Sequence, residues 1–391
     1  MGLKSSEDRP GCEVIVIGGG PAGLIAAYEA ARRGLSVLVL EEDEVVGRPE
    51  RCAGLYSIKG LSEIGIPLSR SYVQNLIWGA VIQSPGGEVL EVSTPTPVAV
   101  VARRESFDRF LAERAIRAGA EVMVGCRVVS CSSKDGGSSA EVFLENGRRL
   151  SSSTLIIAEG SRASVTRRLI KDYRAPHWMP IVQLLVKNHG LESGKAYVWF
   201  KSYLRDFFGY TVPINEEEGK LGVAATRDTL NKAYKLISEE MPGAKIIGYS
   251  SHSIYRGPPL EVGLDGNVVV VGDAACQVKA TTGGGVITGG ICAKAAAAHV
   301  NSLVRSGRDG VYRKLTRRVY RELKATYFVS RMISSTSNES LDTIIKAARE
   351  SGFSDALSLR GDMDFQVTGV AKSLASPRGL KFLVWLFRSL L

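Results

Sequence analysis

A glycine-rich turn near the start of the chain has the residue types and spacing of a phosphate-binding loop. Within the stretch VIVIGGGPAG, Gly18, Gly20 and Gly23 form the pattern G-x-G-x-x-G. The first glycine allows a tight turn, the second lets the backbone approach a pyrophosphate, and the third lets helix and strand pack closely. Free N–H groups at the start of the following helix favour an anion. The turn therefore predicts a phosphate-containing ligand, which Ala22 in the same turn would also contact.

An acidic pair lies about 20 residues beyond this turn, at the distance typical of a carboxylate that binds a ribose hydroxyl. Glu41 ends the apolar run SVLVL, and Glu42 beside it is the alternative. The turn and the acid together predict a dinucleotide site, but they do not say which dinucleotide binds.

A second glycine-rich stretch, GDAACQVKATTGGGV, runs from Gly272 to Val286. It places Asp273 directly after Gly272 and ends in the glycine run Gly283, Gly284 and Gly285. The stretch predicts a second ligand-binding loop. The alternative is that Asp273 only caps a helix or stabilises a turn.

The elements around these loops indicate a mixed α/β chain. Residues 14–41 predict strand, helix over Leu24–Arg33 and strand, a βαβ unit that implies a parallel sheet. Residues 171–255 alternate strand-like runs with polar turns, which predicts a largely antiparallel sheet. The run GNVVVVGDAA predicts a further buried strand, and the sequence after it is mostly helical in pattern.

Composition narrows the class of protein. The chain has 391 residues, of which 45% are hydrophobic and 23% charged, so it can build a full core. Its six cysteines form no C-x-x-C and only four histidines are present, so we expect no metal site and a reduced, cytoplasmic setting. We see no secretory signal and no apolar run long enough to span a membrane. The net charge of +10 favours anionic partners, but no nucleic-acid-binding motif accompanies it, so we expect no nucleic acid.

Two separated glycine loops resemble those of FAD-dependent oxidoreductases of the glutathione-reductase and hydroxybenzoate-hydroxylase type. The resemblance implies one FAD bound between the loops, with Gly18 to Gly23 at the pyrophosphate and Asp273 and Gly283 to Val286 towards the flavin ring. In the family an arginine of the motif R-x-x-F-D-x-x-L reaches the flavin, which places that role on Arg104. Val128 stands where the family holds the adenine through backbone groups. Glu159 replaces the aspartate of the motif A-D-G-x-x-S-x-x-R.

The resemblance also implies a domain organisation. It predicts an α/β FAD-binding Rossmann fold with an inserted antiparallel-sheet substrate domain and a helical C-terminus. The expected FAD-binding domain comprises residues 10–55, 100–170 and 256–300. The substrate domain comprises residues 56–99 and 171–255, and residues 301–391 form the helical C-terminal region.

Within this family, the chain most resembles the geranylgeranyl reductases. Its second loop is similar to their GDAAG-x-V-x-P-T-T-G-G-G-I, with Cys276 and Ala280 as the departures. The stretch GRPERCAGLYS resembles a segment that lines their flavin pocket, which implies flavin contacts for Arg51, Cys52 and Ala53. The stretch FFGYTVPI resembles their Y-x-W-x-F-P box, although every aromatic position is substituted. The residues expected to line the substrate pocket are Tyr197, Trp199, Phe208, Tyr210, Val212 and Pro213, for which an ordinary place in the core is the alternative.

The resemblance implies a reductase that saturates C=C bonds of geranylgeranyl chains, on precursors of membrane ether lipids. Cys52 is the candidate catalytic residue, as modulator or proton source, or it is a small buried hydrophobe. An aromatic hydroxylase-type monooxygenase and a non-catalytic FAD-binding protein are the alternatives. No second dinucleotide loop is evident, so the expected external reductant is NADPH or a ferredoxin, and an electron-donor protein is a possible partner.

The final segment, SPRGLKFLVWLFRSLL, places a run of apolar residues between the basic residues Lys381 and Arg388. It is too short to span a bilayer. Two placements are open: a helix lying in the headgroup plane, which would make the protein peripheral at a membrane surface, or a helix packed on the body or on a partner subunit.

Overall fold

The structure is a computed structural model that describes residues 11–134, 139–170, 173–260, 266–308 and 310–390. Elements are numbered in chain order. The two expected domain limits at residues 10 and 391 lie outside the described residues, as do the side chains of 387–390.

The first of three sheets carries both glycine-rich loops. Its strand order is β8-β2-β1-β11-β10-β9, and β17 pairs with β11. The strands are β1 (Cys12–Ile17), β2 (Val37–Leu40), β8 (Glu121–Met123), β9 (Val128–Lys134), β10 (Ser139–Leu144), β11 (Arg149–Ile157) and β17 (Val268–Val270). β8, β2, β1, β11 and β17 are parallel to one another. Their carboxyl ends therefore meet at one edge, and the loops after β1 and β17 become neighbours there.

Four helices accompany this sheet. They are α1 (Pro21–Ala31), α3 (Arg104–Arg117), α4 (Ser164–Leu169) and α6 (Val286–Ser306). α1 begins three residues before the predicted start because Pro21 occupies a first-turn position, where its fixed φ is already helical. α1 packs against both α3 and α6. The buried side chains of α1, α3 and α6 join those of β1 and β2 in one apolar core.

The second sheet is largely antiparallel and has the order β16-β12-β15-β14-β13-β5-β6. Its strands are β5 (Gly79–Gln83), β6 (Val89–Ser93), β12 (Trp178–Lys187), β13 (Lys195–Trp199), β14 (Gly209–Pro213), β15 (Glu218–Ala224) and β16 (Lys245–Tyr255). One pair, β13 with β5, is parallel. The helix α5 (Thr229–Glu240) packs on one face of this sheet and leaves the other face for the glycine loops.

A small third sheet, in the order β3-β7-β4, is built from residues that lie between β2 and β8 of the first sheet in the chain. Its strands are β3 (Leu55–Ser57), β4 (Val73–Ile77) and β7 (Ala99–Ala102), and α2 (Ile58–Glu63) follows β3 directly. Because β5 and β6 lie between β4 and β7 in the sequence yet join the second sheet, residues 56–99 contribute to both. The predicted α/β architecture with an inserted, largely antiparallel sheet and a helical C-terminus is confirmed. The residue limits of the domains remain a prediction, which the separate sheets favour.

The C-terminal region is helical. Its helices are α7 (Val311–Ser335), α8 (Asn338–Glu350), α9 (Phe353–Arg360), α10 (Gln366–Leu374) and α11 (Pro377–Leu390). α11 packs on the body, because Phe382 is 7% exposed and stacks on Phe353 with ring centroids 4.7 Å apart. Among the described residues, no helix combines the length and the apolar character that a membrane crossing requires.

Candidate functional site

The turn after β1 has the geometry that its glycines predict. Gly18 has φ of +104°, and a Cβ there would stand 2.4 Å from the backbone oxygen of Ala158. A Cβ on Gly23 would stand 2.0 Å from the backbone oxygen of Gly18. Gly20 differs, because a Cβ there would meet no atom within 4 Å. Gly18 and Gly23 are therefore required by packing, whereas Gly20 keeps open a space at the helix start.

Two helices begin at this space without a side-chain cap. Gly20 is the N-cap of α1 and Gly285 is the N-cap of α6, and no side chain of the described residues caps either helix start. The first N–H groups of both helices are thus left for a ligand, and the helix dipoles favour negative charge there. This pair of open helix starts fits a ligand that carries negative charge at two separated points, as FAD does at its pyrophosphate and at the reduced ring.

Of the two candidate ribose-binding acids, Glu41 lies at the loop. Its carboxylate accepts hydrogen bonds from the backbone N–H groups of Gly19 and Asp43. Burial raises the pKa of Glu41, and these two N–H groups counteract the shift. Glu42 instead forms a salt bridge with Arg162, with an N–O distance of 2.7 Å. Glu42 borders the same space, but its carboxylate is already paired.

The second loop reaches the same place from the other side. Gly283 has φ of +71°, and Asp273 Oδ1 lies 3.0 Å from where a Cβ on Gly285 would stand. Burial raises the pKa of Asp273, and the positive charge of Arg104 opposes the shift. Within the part of the chain that the structure describes, the Asp273 side chain makes no hydrogen bond. The carboxylate therefore does not cap α6, which leaves it able to bind a ligand and argues against the capping alternative.

Two adjoining cavities hold nearly all the predicted site residues. The loop cavity, of about 240 Å³, is bordered by Gly18, Gly20, Glu41, Glu42 and Val128. The sheet cavity, of about 400 Å³, lies between the second loop and the free face of the second sheet. The predicted residues that border the sheet cavity are Ala22, Cys52, Ala53, Tyr197, Phe208, Tyr210, Val212, Gly272, Asp273, Gly283, Gly284, Gly285 and Val286.

Arg51 and Arg104 border both cavities, as Gly20 does, and so mark the junction between them. Arg104 is held by Asp108, with an Nε–Oδ1 distance of 2.7 Å. The Asp108 carboxyl is buried, so its charge fixes the guanidinium at the junction rather than at the surface. The two cavities form one elongated groove with a cationic centre.

Cys52 lies on the wall of the sheet cavity. Its Sγ stands 3.7 Å from the hydroxyl of Tyr56 and accepts a hydrogen bond of 3.4 Å from the N–H of Gly54. Gln183 connects this wall to the sheet, since its Nε2 donates to the Cys52 carbonyl and its Oε1 accepts from the Tyr210 hydroxyl. The contacts order Cys52 and Tyr210 on adjacent walls of the same cavity.

The structure contradicts two of the predicted pocket residues. Trp199 is 3% exposed and packs in the core beneath α5, on the opposite face of the sheet from Tyr210 and Val212. Alternate residues of a strand point to opposite faces, so Ala196 and Val198 border the cavity instead. Tyr197 borders the cavity edge, but its ring stacks on Trp199 and joins the same core. Pro213 ends β14 and does not border the cavity.

The sequence patterns did not indicate four polar residues of the sheet cavity. Lys279 and Asp364 form a buried ion pair with an N–O distance of 3.0 Å, and Ser57 donates to the same carboxylate. His252, on β16, has a buried Nδ1 with no hydrogen-bond partner among the described residues. Burial, aided by the positive charges of Arg51 and Arg104, lowers the pKa of His252 to about 4. The acidic stretch GDMDF, which contains Asp364, is a signal in the sequence that could have indicated this residue.

Glu159 occupies the position where the family has aspartate. Its carboxylate accepts hydrogen bonds of 2.9 Å and 2.6 Å from the N–H groups of Val165 and Thr166, at the start of α4. The longer acid therefore still holds the backbone between β11 and α4.

Comparison with known proteins shows which family part of this chain matches. A family model described as FAD dependent oxidoreductase matches residues 13–158, which include the first glycine loop, Glu41 and Arg104. The match over these residues, together with the reductases described next, supports an FAD-dependent oxidoreductase. The open helix starts at Gly20 and Gly285 and the groove between them suit an FAD cofactor.

Curated relatives of this oxidoreductase cover most of its length. It is 27% identical over 350 residues to digeranylgeranylglycerophospholipid reductase 2 of Methanothermobacter thermautotrophicus, covering 86% of this chain and 91% of that protein. It is 26% identical over 404 residues to digeranylgeranylglycerophospholipid reductase 1 of Methanococcoides burtonii, covering 97% and 95% respectively. The resemblance to geranylgeranyl reductases is thereby confirmed.

Solved structures share the fold. A geranylgeranyl bacteriochlorophyll reductase-like protein from Thermoplasma acidophilum superposes with a TM-score of 0.82 and 21% identity, covering 96% of this chain and 99% of that one. The p-nitrophenol 4-monooxygenase of Pseudomonas putida gives a TM-score of 0.70 and 16% identity, covering 86% and 94%. These likenesses show a fold that reductases and monooxygenases share, so the reaction must be argued from the site.

Proposed function

We propose that the oxidoreductase saturates C=C bonds of geranylgeranyl chains on ether-lipid precursors. The observation that carries the proposal is the sheet cavity, which joins the flavin-side loop to an apolar sheet face. Ile181, Val198, Val212 and Ile254 border it, and most of the accessible wall of the cavity is apolar. Such a wall suits a hydrocarbon that offers no hydrogen-bonding group at the reacting carbons. The reductase names of the curated relatives support the same substrate class.

Saturating one alkene requires a hydride equivalent at one carbon and a proton at the other. Bound FAD in its reduced form supplies the hydride equivalent. The chain contributes the rest: the sheet face orients the alkene and excludes water, and Arg104, fixed by Asp108, provides positive charge at the junction of the cavities. Cys52 Sγ, with Tyr56 behind it, is the candidate to hold the proton for the second carbon.

The cofactor must be reduced from outside. We propose NADPH or a ferredoxin-type protein as the reductant, and a peripheral contact with the membrane that contains the lipid. Mixing the FAD-loaded protein with NADPH under argon distinguishes these two reductants. Loss of the oxidised-flavin absorbance in this mixture requires direct transfer from the nicotinamide.

Product mass tests the proposed reaction. Dithionite-reduced protein, incubated without oxygen with a geranylgeranyl glycerol ether lipid, should yield lipids heavier by two hydrogens for each bond saturated. An aromatic hydroxylase would need dioxygen and would add an oxygen atom to its substrate. A non-catalytic FAD-binding protein would leave the lipid unchanged under both conditions. Either of the last two results would end the reductase proposal.

A further inference from the structure

The outer face of α7 carries a stripe of basic residues with two large apolar side chains. With 3.6 residues per turn, the exposed positions of this stripe fall on one third of the helix circumference. The residues of the basic stripe are Arg313, Lys314, Arg317, Arg321, Lys324, Phe328, Arg331 and Met332. The opposite face packs on the body through buried side chains such as Val319 and Leu323.

Within α7, which the structure describes throughout, no acid neutralises Arg317 or Arg321. The one acid of this helix, Glu322, is buried and accepts hydrogen bonds from Val367 and Thr368 of α10. Across the described ranges, Arg317 and Arg321 form no salt bridge. Arg318 does pair, with Glu63, but it lies beside the stripe and its guanidinium covers the ring of Phe365.

Phe328 and Met332 distinguish this stripe from an ordinary solvated face. Each is 66% exposed, although the same helix buries other apolar residues completely. The phosphates of a nucleic-acid backbone would pair with the Arg and Lys side chains of the stripe, but they would offer Phe328 and Met332 no apolar surface to contact. The surface of an anionic bilayer suits both kinds of side chain. The Arg and Lys side chains contact the anionic headgroups, and the apolar side chains enter the boundary between headgroups and acyl chains.

The stripe ends beside a cavity that leads inward. This hydroxyl cavity, of about 260 Å³, is bordered by Arg205, Arg256, Ser334 and Ser335, and Ser335 is the last residue of α7. Phe208 borders both the hydroxyl cavity and the sheet cavity. A lipid taken up where α7 ends would thus lie one aromatic ring away from the proposed reaction site.

We propose that the basic stripe of α7 docks the protein on bilayers that carry anionic headgroups. The orientation brings the hydroxyl cavity to the membrane surface. The link to substrate uptake rests on the proposed function, but docking does not, and it can be measured without turnover.

Co-sedimentation of the FAD-loaded protein with vesicles tests the docking. Vesicles of phosphatidylcholine with one third phosphatidylglycerol should bind it, and vesicles of phosphatidylcholine alone should bind it far less. Arg317→Glu with Arg321→Glu should lower the partition coefficient roughly tenfold or more, because each base near an anionic surface contributes substantially. Phe328→Ser with Met332→Ser should lower it at high salt, where screening leaves the apolar contribution.

Two matched variants serve as controls. Arg227→Glu with Lys245→Glu makes the same change of charge on exposed residues of the substrate side, and Leu380→Ser with Val384→Ser removes exposed apolar residues of α11. Both should bind vesicles like the wild type. The proposal is overturned if the α7 variants, with unchanged melting temperature and flavin absorbance, bind normally, or if the α11 control loses binding instead. Binding to duplex DNA as tight as to vesicles, unaffected by the Phe328 and Met332 changes, would also overturn it.

Discussion

At the residue scale, the glycines of the first loop have two different roles. Gly18 and Gly23 are required by the packing of the fold, whereas Gly20 leaves space for the ligand. Gly20 has φ of −78° and free space around the position of a Cβ, so Gly20→Ala should fold normally. The added methyl would occupy the space at the start of α1 and weaken FAD binding. We expect a melting temperature close to that of the wild type and a clear loss of flavin on gel filtration. Gly23→Ala is the contrasting control, since its Cβ would meet the Gly18 oxygen and the fold itself should suffer.

His252 provides a second residue-scale prediction. Its pKa is about 4 in the folded protein and 6.5 in the unfolded chain, so the unfolded chain binds more protons between these values. Stability should therefore fall as pH drops from about 6.5 to about 4, and His252→Gln should reduce that fall. Melting temperatures across this range measure the effect, with the exposed His177→Gln as control. Identical pH profiles for wild type and His252→Gln would show that the imidazole is not held neutral.

Cys52 is the residue on which the proposed chemistry depends most. Cys52→Ala should retain FAD, because the thiol lies on the wall of the sheet cavity and its hydrogen bonds to described residues go to Gly54 and Tyr56 alone. Mass spectrometry of the lipid products should show a lower rate or a smaller number of saturated bonds. Cys131→Ala, which changes a thiol of β9 away from both cavities, is the matched control. Wild-type product distributions in Cys52→Ala would remove the thiol from the mechanism and leave the reductase proposal in place.

At the element scale, a buried ion pair joins the second glycine loop to the segment between α9 and α10 at the sheet cavity. The side chains of Lys279 and Asp364 are 10% and 6% exposed. Asp364→Asn leaves the lysine charge buried and unpaired, so we expect a loss of about 3–5 kcal/mol in the free energy of unfolding. Lys279→Met with Asp364→Leu should recover much of that loss. The exposed pair Lys187–Glu217 is the control, and Glu217→Gln should cost at most about 1 kcal/mol in chemical denaturation.

The packing of helices and strands also explains which parts of the site could be predicted from the sequence and which could not. The βαβ unit, the second glycine loop and Glu41 are local patterns, and local patterns predict local structure well. The assignment of Trp199 to the pocket was wrong because an aromatic run does not reveal which face of a strand is covered, and α5 covers the face of Trp199. The Lys279–Asp364 pair joins residues 85 positions apart and depends on packing that no short-range pattern encodes. His252 was missed for the same reason, since only the pairing of β16 with β12 brings it to the cavity.

At the scale of the whole molecule, the proposed reduction requires a single groove that runs from the first loop to the sheet face. An anaerobic single turnover tests this reduction most directly. The dithionite-reduced, FAD-loaded protein is mixed under argon with a geranylgeranyl glycerol ether lipid, and flavin absorbance is followed. We predict that the oxidised-flavin absorbance returns in step with lipid saturation, and that the fully saturated lipid gives no return. Flavin that stays reduced with the unsaturated lipid, yet reoxidises when dioxygen and an aromatic substrate are supplied, would contradict the account.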